Sequence, residues 1–74
     1  MLPTEVQKLI KVKLPDAKID VSDMTGTGDH FEIEIISKTF SGKTLIEQHQ
    51  MVYAILGDEM DKKIHAVRLK TRAS

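Results

Sequence analysis

Three histidines, His30, His49 and His65, carry most of the site chemistry open to this 74-residue chain, which has no cysteine. A neutral imidazole can bind a transition metal or pass a proton. Without cysteine there is no thiolate nucleophile, no Cys-based zinc site and no disulfide framework. Two short stretches imitate phosphate-binding turns. Gly42-Lys43-Thr44 has the ending of a P-loop, but that loop needs an earlier glycine where Ser37 stands. Gly26-Thr27-Gly28 begins like a dinucleotide fingerprint, yet Phe31 takes the third glycine position. That stretch also joins strand to strand, so no helix N-terminus would face a pyrophosphate. No Ser-His-Asp arrangement appears, nor paired carboxylates with a reason for split pKa values. Catalysis has no candidate, and the chain reads as a non-enzyme.

The elements that must position the histidines follow from hydrophobic spacing. Val6, Leu9, Ile10 and Leu14 recur at helical intervals, Thr4 and Gln7 have capping-box spacing, and Pro15 stops the helix. Lys18–Asp23 alternates as a strand with Ile19 and Val21 on one face. Met24 to His30 reads as a loop with permissive glycines. Phe31–Ile36 is the clearest strand, with Phe31, Ile33 and Ile35 inward and Glu32 and Glu34 outward. Ser37 to Gly42 forms a short helical turn around Phe40. The main helix starts near Thr44, where Glu47 completes a second capping box. Leu45, Val52, Leu56 and Met60 are its expected buried stripe, widened by Met51 and Ile55, and Gly57 weakens it. Ile64–Thr71 alternates again, with Val67 and Leu69 opposite Arg68 and Lys70. The order is α-β-β-α-α-β, an α+β fold with helices packed on one face of a three-stranded sheet.

Length allows one domain, residues 1–74. Eleven bases balance eleven acids, which argues against bulk wrapping of nucleic acid or an anionic membrane. The charge is nevertheless uneven: Asp20–Glu34 holds five acids and no base, Lys62–Ser74 five bases and no acid. Solvated faces explain such runs; a polarised surface that orients a partner is the alternative. No apolar run is long enough to span a membrane. The start, Met1-Leu2-Pro3-Thr4-Glu5, has neither the basic nor the apolar region of a secretion signal, so a cytoplasmic location is expected.

Within this frame the histidines differ. His30 ends the loop and is placed for presentation. His49 lies beside the main helix's apolar stripe, where a core-edge ring hydrogen-bonded to a neighbour is expected. His65 opens the last strand with the parity of Val67, as either a satisfied edge-of-core residue or a ligand at the sheet's end. Met51 and Met60 fit helical spacing and read as core filler. Two imidazoles without cysteine or a carboxylate cluster make an incomplete metal site, as expected where a metal is shared with a partner.

Three stretches resemble the BolA family: Thr39-Phe40-Ser41-Gly42-Lys43, Gln48-His49-Gln50-Met51-Val52-Tyr53, and Ile64-His65-Ala66-Val67-Arg68-Leu69-Lys70-Thr71. Gly28-Asp29-His30-Phe31 is similar to the histidine-bearing loop of its IbaG-like branch. The likeness runs in order over nearly the whole chain, which ends without the C-terminal tail of many relatives. The resemblance implies a class II KH-like fold and partnership with a monothiol, CGFS-type glutaredoxin. It further implies a [2Fe-2S] cluster shared with the glutaredoxin and its glutathione, for which His65 and His30 would supply nitrogen ligands. On this reading the isolated chain binds no cofactor, is a monomer or weak homodimer, and contacts no membrane. Replacing thiolates by imidazoles raises a cluster's potential, and protonation competes with the metal for the ring. Such a cluster suits iron–sulfur trafficking or iron and stress sensing.

The competing reading is a KH-like, DNA-binding transcriptional regulator, with Lys38, Lys43, Lys62, Lys63, Arg68, Lys70 and Arg72 on phosphates. The GXXG clamp is absent and aromatics are scarce, so these bases read equally well as ordinary solvated side chains. A third reading is a protein adaptor without metal, which would form a colourless complex rather than a brown one.

Overall fold

The computed structural model describes residues 2–26, 30–57 and 66–74. Its first helix, α1, spans Pro3–Lys13. Proline is suited to the first helical position because an N–H there would have no intrahelical partner. The Glu5 carboxylate accepts from the Leu2 N–H at 2.8 Å and closes the first turn. The helix thus starts earlier than the Thr4–Gln7 capping pair required. Gln7 instead donates to the Ile19 carbonyl at 3.2 Å. Pro15 follows the cap residue Leu14, as expected.

Strands β1 (Lys18–Asp23), β2 (His30–Ile36) and β3 (Ala66–Arg72) form one sheet in the order β1-β2-β3. β1 runs antiparallel to β2, from Lys18 opposite Ile36 to Asp23 opposite Phe31. β2 and β3 run parallel, from His30 opposite Ala66 to Ile36 opposite Arg72. A parallel pair needs a long crossover. It includes a one-turn helix η1 (Lys38–Phe40) and α2 (Leu45–Leu56). Val6, Ile10 and Leu14 of the first helical segment meet Phe31, Ile33 and Ile35 of β2, Phe40 of η1, and Val52 and Leu56 of α2 in one core. Ile19, Val21, Val67 and Leu69 pack at its margin. The opposite face of the sheet carries the alternate residues, charged along most of its length.

α2 has the capping box read from Thr44 and Glu47: the Thr44 hydroxyl accepts from the Glu47 N–H at 3.2 Å, and the Glu47 carboxylate from the Thr44 N–H at 2.9 Å. Its buried stripe differs from expectation. Leu45 is 61 % exposed, and Gln48, only 7 % exposed, joins Val52 and Leu56 inside. Leu45 is the first helical residue, and the stripe reaches the sheet one turn later. Gly57 caps the helix at φ +47°, a left-handed value that favours glycine, so it terminates α2 rather than weakening its interior. Met60 lies outside the described residues. No helix among the described residues is long and apolar enough to cross a membrane.

One polar junction locks the start of the crossover. Ser37 is fully buried and donates its hydroxyl to the Asp16 carboxylate at 3.1 Å, while that hydroxyl accepts from the Thr39 N–H at 3.2 Å. The Lys38 N–H donates to Asp16 at 2.9 Å. That backbone bond, then the Ser37 hydroxyl, holds the Asp16 carboxyl below its ordinary pKa. The Thr44 N–H and hydroxyl lower Glu47 in the same way. A carboxylate with a depressed folded pKa stabilises the fold above its unfolded pKa and loses that contribution as pH falls through the folded value. Thermal stability should therefore hold down to about pH 5 and fall below about pH 4. Asp16→Asn should lower stability at neutral pH and flatten the acid limb. Parallel melting curves from pH 7 to 2.5 check this; an acid limb as steep as the parent's removes Asp16 from the account.

Candidate functional site

The parallel register of β2 and β3 brings the two strand starts to the same end of the sheet. In a hairpin they would lie at opposite ends. His30 is the first residue of β2, half-buried, and its register partner is Ala66. It therefore stands on a strand rather than at the end of a loop. Its carbonyl accepts from the Met24 N–H at 2.8 Å. The neighbouring turn is pinned by Asp23, whose carboxylate accepts from the N–H of Thr25 at 3.3 Å and of Gly26 at 2.9 Å. Parity places His30 with Glu32 and Glu34 on the face away from the helices. His65 lies outside the described residues; it is bonded to Ala66, the partner of His30. Among the described residues no group of three or more His, Asp or Glu side chains could hold a metal ion. Among the described residues His30 is the nitrogen donor at this end of the sheet, which fits a site completed by ligands from elsewhere.

His49 is half-buried on α2, in keeping with a structural place, but its ring makes none of the expected hydrogen bonds among the described residues. The buried polar residue of this helix is its neighbour. Gln48 donates to the Lys43 carbonyl at 2.9 Å and accepts from the Thr71 hydroxyl at 2.7 Å. It ties the entry of α2 to the far end of β3. The signal for it was a polar residue at i, i+4, i+8 spacing with Val52 and Leu56.

The basic residues divide between places. Arg68 and Lys70 project from β3 beside Glu32, each with its charged nitrogen 3.9 Å from that carboxylate. Lys38 on η1 and Lys43 before α2 lie on the crossover, near Arg72: the Ser37 N–H donates to the Arg72 carbonyl at 3.1 Å. They stand at the end of the sheet remote from His30. Lys62 and Lys63 fall outside the described residues. The uneven charge read along the chain becomes, on the uncovered sheet face, Glu32 and Glu34 of β2 beside Arg68, Lys70 and Arg72 of β3.

A three-stranded mixed sheet backed on one face by two helices, with a parallel crossover through η1 and α2, is the α+β arrangement of a small class II KH-like domain. The family model for BolA-like protein matches residues 8–74, and the chain belongs to the BolA family. It is 42 % identical over 67 residues to protein BOLA2 of Arabidopsis thaliana, covering 89 % of this chain and 71 % of that one. It is 36 % identical over 67 residues to an uncharacterized protein of Rickettsia prowazekii, covering 90 % of this chain and 87 % of the relative. A solved BolA homologue from Coxiella burnetii superposes with a TM-score of 0.82 at 31 % identity, over 100 % of this chain and 91 % of that one.

Proposed function

We propose that this protein is a non-enzymatic partner of a monothiol glutaredoxin, holding a [2Fe-2S] cluster jointly with it in iron–sulfur trafficking or iron sensing. One observation carries the reading: His30 pairs in register with Ala66, the residue bonded to His65. Family membership supports it as well. His30 and His65 would supply imidazole nitrogens, and the glutaredoxin with its glutathione would supply sulfur. The cluster brings redox and transfer chemistry; this chain contributes a neutral pair of donors at a sheet end. A ligand borne on a strand keeps its direction better than one borne on a loop. His30 has such a strand position, so its contribution should be larger than a loop histidine's.

A cytoplasmic location suits this role. The DNA-binding reading has less behind it, because the chain has no GXXG clamp and few aromatic residues for stacking.

The test is anaerobic reconstitution with a CGFS glutaredoxin, iron, sulfide and glutathione, followed by absorption and visible circular dichroism. A brown heterocomplex is expected from the parent chain. His30→Ala should shorten cluster lifetime severalfold while costing the fold no more than about 1 kcal/mol. A colourless heterocomplex would leave only adaptor function, and an unchanged lifetime in the variant would move the ligand elsewhere.

A further inference from the structure

The two edges of the sheet are treated differently. A strand at an edge presents unpaired N–H and C=O groups, and proteins commonly block them. On β1 the block is visible: Gln7 donates to the Ile19 carbonyl at 3.2 Å, and Lys11 to the Ala17 carbonyl, just before the strand, at 2.8 Å. Side chains of α1 thus take the Ala17 and Ile19 carbonyls, at the start of that edge. On β3 the carbonyl of Arg72 accepts from Ser37, on the β2 side. Backbone direction alternates along a strand, so Ala66, Arg68, Lys70 and Arg72 face β2, and Val67, Leu69 and Thr71 turn their N–H and C=O groups outward. Among the described residues no side chain bonds those outward groups.

The chemistry flanking this edge is specific. Arg68, Lys70 and Arg72 lie on the uncovered face, while Val67 and Leu69 lie half-buried on the helix face. The strand already paired with β3 shows what suits it. β2 reads Phe31-Glu32-Ile33-Glu34-Ile35, acids toward the bases and apolar residues toward the helices, with Glu32 3.9 Å from both Arg68 and Lys70.

We propose that the outer edge of β3 is a docking edge for an extended peptide of alternating acidic and apolar residues, which adds as a further strand. Main-chain hydrogen bonds to Val67, Leu69 and Thr71 would hold it, and the bases of β3 would select its acids. A second copy of this chain fits less well. Its β3 would set arginine and lysine against identical charges, which is unfavourable for directly opposed residues. The start of its β1 edge is occupied by Gln7 and Lys11. The proposal is independent of metal ligation by His30 and His65.

The probe is a fluorescein-labelled peptide of alternating glutamate and valine, titrated into the whole chain and followed by anisotropy and amide hydrogen exchange. Binding should slow exchange at the amides of Val67, Leu69 and Thr71. A lysine-for-glutamate peptide should not bind. Two further peptides carry N-methyl groups on every valine or on every glutamate. Only one set of amides can face β3, so one of these should lose at least roughly tenfold in affinity and the other should keep it. Arg68→Glu and Lys70→Glu, both at exposed positions, should each weaken binding severalfold without unfolding the chain. Equal binding by both methylated peptides, or protection confined to other amides, overturns the proposal. So does protection of the same three amides by self-association without peptide, or by single-stranded oligothymidylate in preference to the peptide.

Discussion

His65→Ala is expected to abolish the visible circular dichroism of the glutaredoxin complex, even with glutathione in excess, while the two proteins still bind. His65 immediately precedes β3 in the chain, and its neighbour Ala66 pairs with His30. Removing one imidazole leaves a single nitrogen donor at that end, since the chain has no cysteine to take its place. Affinity should survive, because the faces of β3 and α2 offer contacts that do not depend on one ring. A purely structural role predicts a different pattern, with lowered melting temperature and proportionate loss of both cluster and binding. His65→Cys separates the two accounts. A thiolate in place of an imidazole should restore a cluster with an altered spectrum and a lower reduction potential. Titration calorimetry, melting curves and visible circular dichroism on parent, alanine and cysteine variants make the measurement. A His65→Ala complex with parental spectrum and lifetime would remove this residue from the site and take most of the proposed function with it.

Most of the elements were legible because hydrophobic spacing is a local signal. Phe31, Ile33 and Ile35 alternate with Glu32 and Glu34, and they are the buried residues of β2. Val6, Ile10 and Leu14 repeat at one helical face and are buried too. Thr44 and Glu47 announce their cap by type and spacing alone. Strand pairing is another matter. Whether β3 joins β2 parallel or antiparallel depends on how the chain returns, and alternation reads the same in both directions. That single nonlocal fact puts His30 beside Ala66 and Lys38 at the opposite end. His30 carries no pattern between a glycine-rich stretch and Phe31, so spacing alone leaves it in the loop; the ladder extends to it through pairing with Ala66. Hydropathy also misplaced Leu45 and passed over Gln48. An apolar residue in the first turn of a helix can overhang the core, and a polar one can enter it if its bonds are met.

Gln48→Ala is expected to destabilise the fold by about 2–3 kcal/mol, the largest loss expected here from a residue outside the apolar core. A domain of this length has a total stability of about 4–11 kcal/mol, so the change is a large fraction of it. The corresponding fall in Tm is about 10–20 °C. The size follows from what is left behind. Alanine removes the donor to the Lys43 carbonyl and the acceptor for the Thr71 hydroxyl, and it leaves a gap in the stripe with Val52 and Leu56. Gln48→Leu fills the gap but strands the same two partners, so it should recover only part of the loss. Gln48→Glu keeps an acceptor for Thr71 and turns an anion toward the Lys43 carbonyl, which should cost at least as much as alanine at neutral pH. The Thr71 bond can be isolated by a cycle of Gln48→Leu, Thr71→Val and the double variant. Removing both partners together costs less than the sum of the singles, with a coupling of about 1 kcal/mol. Because the bond joins the entry of α2 to the end of β3, hydrogen exchange in Gln48→Ala should quicken at both places before it quickens in β1. Urea melts of the variants test this, and a loss below about 1 kcal/mol for Gln48→Ala, or strictly additive singles, would show that the crossover is held by its apolar contacts alone.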